Sequence, residues 1–406
     1  MRIARGRRYA VLLSLIFALT LCALYLLSFP LHARADGGAP NLAYVSGTSP
    51  GISVIDVGQA KVTRTMAVVG DPRTILLSAD GSTLYVTQPS LGQVSLLAAK
   101  TGQIICTAHP GGTPTLLALD PNTATLYAAG SGSSNVSALD SGNCRLKHTF
   151  ETGSPVYGLA ITLPGVGIVH ATGGQLWVSG TQSLTIFDDR AGKLLAHVPL
   201  AAGPQYLSIP PGGATVYVTT RQGSVEAVDI TTRNMRQLLT GGSFGTMDFD
   251  ELSGEVYVPD AQHNLLDVLA PVNLGVAALP AEPNRVIHLD YSPTSVAITN
   301  DGQLGFVALR GGKVAMIDLL ERQVVYTVSV TGTPRFIITG LFPPNFLPTP
   351  TRTASTTVSV LKGTSTNILS KIVLPALLIV ILALVLFLTW QVRIFLKSST
   401  KSKYRR

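Results

Sequence analysis

The sequence predicts an all-β chain: a seven-bladed β-propeller of four-stranded blades, with an N-terminal signal or anchor segment and a single C-terminal transmembrane helix. Three observations predict it. An aromatic residue, mostly followed by valine, recurs seven times at steps of 40–50 residues. A glycine keeps a near-constant distance from that aromatic in six of the seven units. The two ends of the chain carry long uncharged runs that the body lacks.

The N-terminal segment, residues 1–35, opens with Arg2, Arg5, Arg7 and Arg8 and is uncharged from Tyr9 to Leu31. It closes on Ala33-Arg34-Ala35. A basic start, an apolar stretch and a small-x-small site together make a secretory signal, with cleavage expected after Ala35. The apolar stretch is longer than most signal cores, so retention as an anchor stays open. Cys22 follows Leu21 rather than a small residue, which argues against lipid attachment there.

The body, residues 36–340, holds the repeat. The aromatic pairs are Tyr44-Val45, Tyr85-Val86, Tyr127-Ala128, Trp177-Val178, Tyr217-Val218, Tyr257-Val258 and Phe306-Val307. Gly70, Gly112, Gly153, Gly203, Gly242 and Gly332 follow their aromatics by 25–27 residues, and five of them have a proline within two positions. In the second unit four β-rich runs are separated by turn residues: 73–78, 83–87, 93–97 and 103–107, with Asp80-Gly81 and Thr101-Gly102 between. Four strands per repeat of this length, seven times over, predict a propeller. The first unit lacks an innermost strand, while residues 335–340 after the last unit read as one. The two ends are therefore expected to complete one blade, removing the open edges that invite aggregation.

The runs Ser78-Ala-Asp-Gly-Ser-Thr-Leu-Tyr-Val-Thr87 and Val216-Tyr-Val-Thr-Thr220 resemble the YVTN β-propeller repeats of surface-layer and related exported proteins. Asp301-Gly302 with Phe306-Val307 is a weaker copy. The resemblance covers residues 41–340 and implies the fold. Its relatives include cell-surface proteins and lactonase-like or quinoprotein-like enzymes, so it implies no single activity.

Residues 341–370 are rich in Pro, Thr and Ser and are expected to form an extended stalk. Next come residues 371–392, of which 372–392 are uncharged and 15 of those 21 are Leu, Ile, Val or Phe. At a rise of about 1.5 Å each they span roughly 31 Å, one hydrocarbon core. The tail 393–406 carries six Lys and Arg and no acid. The positive-inside rule then predicts a single-pass protein of the cell membrane, its C-terminus cytoplasmic and its propeller extracytoplasmic.

The formal charge of +8 resides in these ends. The body holds 16 Lys and Arg against all 22 acids, a net charge of −6, which excludes a nucleic-acid partner. No HExxH or phosphate-loop motif occurs, and the seven histidines show no metal-ligand spacing. No catalytic residue, metal or cofactor is assigned. Cys106 and Cys144 precede their glycines by different offsets, which favours two free thiols over a bridge.

Two groups are candidate ligand contacts. Arg73 and Arg335 each follow a Gly-x-Pro at the start of an innermost strand, on adjacent blades if the ring closes as expected. Together they suit an anion; the alternative is that each pairs with a local carboxylate such as Asp71 or is simply solvated. Arg285, His288 and Asp290 fall in the second of two insertions, 161–175 and 274–291, read as loops. The expected role is a binding or scaffold module presenting a propeller face to an envelope protein, a glycan or a small ligand. The alternative is an exported propeller enzyme, a lactonase-like hydrolase or a quinoprotein-like dehydrogenase.

Overall fold

The computed structural model describes residues 42–49, 51–162, 174–210, 214–272, 274 and 285–340, all within the first of the chain's two units, residues 1–346. The expected signal or anchor, stalk, transmembrane helix and basic tail lie outside these residues. Among the described residues, no helix is long and apolar enough to cross a membrane.

The strands pair antiparallel into seven four-stranded sheets, the blades expected from the repeat. Blade 1 combines Leu42–Thr48, Gly51–Asp56 and Lys61–Ala67 with Gly332–Gly340 from the other end of the propeller. Leu42 pairs with Gly340 and Ser46 with Phe336, so the ring closes as the sequence predicts. The innermost strands of blades 2 to 7 are Ile75–Leu77, Leu116–Asp120, Gly158–Thr162, Pro204–Ser208, Asp248–Phe249 and Pro293–Ile298.

The repeating aromatic lies on the second strand of every blade and is at most 4% exposed in each. The strands form where β-branched and apolar residues dominate, and they end where Asp supplies a turn. Asp140, Asp188 and Asp229 each accept two backbone N–H groups from the residues that follow, fixing the turn into the outermost strand. The apolar core has no single centre. Seven clusters of buried residues occupy the seven seams between neighbouring blades, the seam of blades 7 and 1 included. Stability is thus distributed around the ring, and the closing strand contributes Ile337 to one seam and Phe336 and Ile338 to the next.

Two expectations are corrected. Cys106 and Cys144 form a disulfide, with Cα atoms 6.0 Å apart. Cys106 is on the outermost strand of blade 2, Ile104–Ala108, but Cys144 sits in the turn before the outermost strand of blade 3. Its φ of +62° turns it inward to the seam, where it is 7% exposed, so unequal offsets bring the sulfurs together. The second correction concerns the insertion at 274–291. Arg285–His288 is the outermost strand of blade 6, paired with Leu265–Leu269, rather than loop.

Candidate functional site

The innermost strands surround a central channel, and they begin at one end of it. Gly70-Asp71-Pro72 and Gly332-Thr333-Pro334 turn the chain into the first positions of two of them, with φ of +88° at Gly70 and +87° at Gly332. These turns deliver Arg73 and Arg335 side by side on blades 2 and 1. Close approach keeps Arg335 in place: a Cβ on Gly47 would meet Thr333 O at 2.4 Å and Arg335 Cγ at 2.6 Å.

Asp71 lies between the two guanidiniums. Its Oδ2 is 3.4 Å from Arg73 Nε and its Oδ1 is 3.4 Å from Arg335 Nε. The structure therefore brings the two predicted arginines together and gives both the same local carboxylate. All three side chains are 41–44% exposed, so solvent screens these pairs and each contributes little to stability. A third arginine, Arg310, lines the mouth from blade 7, in the turn after the strand Leu304–Leu309. Among the described residues, its side chain makes no hydrogen bond or ion pair.

The three arginines occupy one arc of a cavity of about 640 Å³ whose described lining contains no aspartate or glutamate. Tyr157 and Tyr206, from blades 4 and 5, occupy the opposite arc. The guanidinium of Arg221 stacks on the Tyr157 ring at 4.4 Å from its centroid, backing that ring with a fixed cation. Burial pushes the Tyr206 hydroxyl above its ordinary pKa, and the charge of Arg73 across the channel pulls it partly back.

Threonines sew the mouth together. The Thr74 hydroxyl donates to Thr115 O at 2.6 Å and the Thr294 hydroxyl to Pro334 O at 3.4 Å, each joining two adjacent blades. By contrast, the side chains of Thr115, Ser131, Gln205, Thr246 and Thr333 line the cavity with no hydrogen-bond partner among the described residues. The mouth thus holds three cations, two tyrosines and a set of unspent neutral donors and acceptors.

The far end of the channel differs. Thr246, Met247 and Phe336 line both the mouth cavity and a second one of about 250 Å³ that contains Asp248 and Glu251. Blade 6's innermost strand leans on blade 7 there, and Asp248 Oδ2 accepts the Ile298 N–H at 2.7 Å. Burial pushes the Asp248 carboxyl up to about 7. Gly340 ends the closing strand at this end, opposite Arg335.

Arg285, His288 and Asp290 lie at the perimeter. Strand alternation sets Arg285 and His288 on opposite faces, Asp290 follows in the next turn, and no hydrogen bond or ion pair joins the three among the described residues. Among the described residues, no group of three His, Cys, Asp or Glu could hold a metal. Sequence reasoning missed Arg310, Tyr157 and Arg221. A signal for two of them existed: Ser131, Arg221 and Arg310 each come four residues after the repeating aromatic, at the turn leaving the second strand.

No protein-family model matches the chain, and no curated protein matches it. Solved structures share its fold. A functionally unknown protein from Desulfotomaculum acetoxidans aligns at 14% identity over 74% of this chain and 99% of its own, with a TM-score of 0.61. A candidate 6-phosphogluconolactonase from Bacteroides uniformis aligns at 17% identity over 73% and 98%, with a TM-score of 0.59. The propeller domain of Cps50 (Swd1) from Myceliophteria thermophila aligns at 14% over 69% and 93%, with a TM-score of 0.57. At these identities the likeness establishes the seven-bladed propeller and carries no activity across.

Proposed function

We propose that this chain is a binding propeller of the YVTN kind, held at the outer side of the cell membrane, whose arginine-rimmed channel mouth takes an anionic ligand. The observation that carries this reading is the convergence of Arg73, Arg310 and Arg335 on a cavity whose described lining has no acid. Guanidiniums recognise carboxylates and phosphates through forked hydrogen bonds, and like charges gathered around a concave site concentrate their field there. Asp71 neutralises only part of the charge. Asp71 is the carboxylate at the mouth, shared between Arg73 and Arg335, and the described cavity lining adds no further carboxylate, imidazole or thiol.

The membrane tether rests on the apolar run at 372–392 and the basic tail. An extracytoplasmic propeller fits the Cys106–Cys144 disulfide, since such bonds persist in oxidising compartments. The test of the binding role is calorimetric titration of the detergent-solubilised full chain with citrate at low salt. Saturable binding that weakens with added salt and is lost in Arg73→Gln/Arg310→Gln/Arg335→Gln supports the reading. Equal heats from that triple variant and the parent would overturn it. Protease accessibility of the propeller in intact cells tests the topology, and protection from external protease would reverse it.

A further inference from the structure

Resting on the anion-binding reading above, we propose that the ligand is an acidic sugar, a hexuronate ring free or at the end of a glycan. Asp71 holds the place of its carboxylate while the mouth is empty.

Asp71 is placed like a captured ligand. One carboxylate spans two guanidiniums, Oδ2 toward Arg73 and Oδ1 toward Arg335, both at 3.4 Å. That separation is longer than a tight charge-assisted bond of about 2.7–2.9 Å, so Asp71 holds neither guanidinium tightly. The pairs are exposed, and competition by an incoming carboxylate costs little. Asp71 sits at φ +55°, in the left-handed region that aspartate and asparagine tolerate better than most non-glycine residues.

The rest of the lining specifies what accompanies the carboxylate. Thr115, Ser131, Gln205, Thr246 and Thr333 offer neutral hydrogen-bonding groups that the described protein leaves unused. A ligand rich in hydroxyls satisfies them, whereas an aryl acid leaves them unpaired at a cost. Tyr157 and Tyr206 line the arc opposite the arginines, and tyrosine rings suit the apolar face of a pyranose. A volume of about 640 Å³ lies within the ordinary range for small-ligand sites, roughly 300–1,000 Å³, and admits more than one sugar ring. Arg310, without a partner among the described residues, remains for a second anionic or hydroxyl group of the same ligand.

The experiment titrates the solubilised full chain with glucuronate, glucose, benzoate and inorganic phosphate, following tyrosine and tryptophan fluorescence and heat. Glucuronate is expected to bind at least tenfold more tightly than glucose, which lacks the carboxylate, and than benzoate, which lacks the hydroxyls. Asp71→Asn removes the competing charge, and asparagine tolerates the left-handed backbone at this position. It is expected to tighten glucuronate roughly fivefold while leaving the melting temperature within a few degrees. Arg335→Lys keeps the charge, loses the fork and is expected to weaken glucuronate about tenfold. A glucuronate-terminated disaccharide compared with free glucuronate distinguishes a glycan end from a free sugar, the tighter of the two being the ligand form. Benzoate or phosphate binding as tightly as glucuronate overturns the sugar assignment. Unchanged or weakened glucuronate binding in Asp71→Asn overturns the role given to Asp71. Citrate binding that persists through either result leaves the anion site standing, and its loss condemns both readings.

Discussion

Cys106 and Cys144 bond across the seam of blades 2 and 3, thirty-eight residues apart in sequence. The bond fastens the outermost strand of one blade to a turn of the next, within the apolar seam between them. Closing a loop of that length restricts the unfolded chain by about 3–4 kcal/mol. The Cys106→Ala/Cys144→Ala variant is therefore expected to melt several degrees below the parent and to be insensitive to dithiothreitol. The parent should fall to the variant's melting temperature when reduced. A parent that melts identically with and without reductant would show that the bridge adds nothing.

Asp248 ties stability to pH. Its folded-state carboxyl is pushed from 3.8 up to about 7 by burial, so between those values the folded chain holds a proton that the unfolded chain has lost. Stability must then fall as pH rises from about 4 to about 7. Because Asp248 keeps part of its surface open to the lower cavity, the loss is on the order of 2 kcal/mol. Asp248→Asn retains an acceptor for the Ile298 N–H and cannot titrate. Urea unfolding across this range should show a slope for the parent that the variant lacks; parallel curves would contradict it.

Glu255 and Arg322 join blades 6 and 7. Arg322 Nη2 donates to both Glu255 oxygens at 2.8 Å, and the Tyr257 hydroxyl adds a bond at 3.3 Å. Arg322 Nε and Nη1 are buried without a hydrogen-bond partner among the described residues, so removing the carboxylate strands a charge that is already poorly satisfied. Glu255→Gln is expected to cost about 2–3 kcal/mol, while Glu255→Gln/Arg322→Met should recover much of the loss. Chemical denaturation of both variants measures the difference. A double variant no more stable than Glu255→Gln alone would place the cost elsewhere.

Gly47 couples closure to the mouth. At φ +76°, with Thr333 O and Arg335 Cγ within 2.6 Å of a built Cβ, Gly47→Ala must move the turn that carries Arg335. The expected cost is about 1–3 kcal/mol, with citrate affinity reduced severalfold. Melting and titration of the same sample test both. Full affinity in a destabilised protein would separate the turn from the site.

The blades, their strand count and the closing strand were legible in the sequence because each is encoded locally. Strand pairing follows hydrophobic runs and turn residues a few positions apart, and the ring merely repeats that unit. Tyr44 and Tyr217 occupy the same buried place because the same local pattern surrounds them. Arg73 and Arg335 were legible for the same reason, through the Gly-x-Pro that precedes each.

Tertiary structure alone decided the rest. Cys144 meets Cys106 only because its positive φ turns it into the seam. Whether one carboxylate serves two arginines depends on the spacing of blades 1 and 2 around the axis. Arg310 and Tyr157 come together on one mouth from positions about 150 residues apart, set by the radius of a seven-membered ring. A repeat specifies which side chains point toward the axis, but the distances across that axis come from packing all seven seams at once.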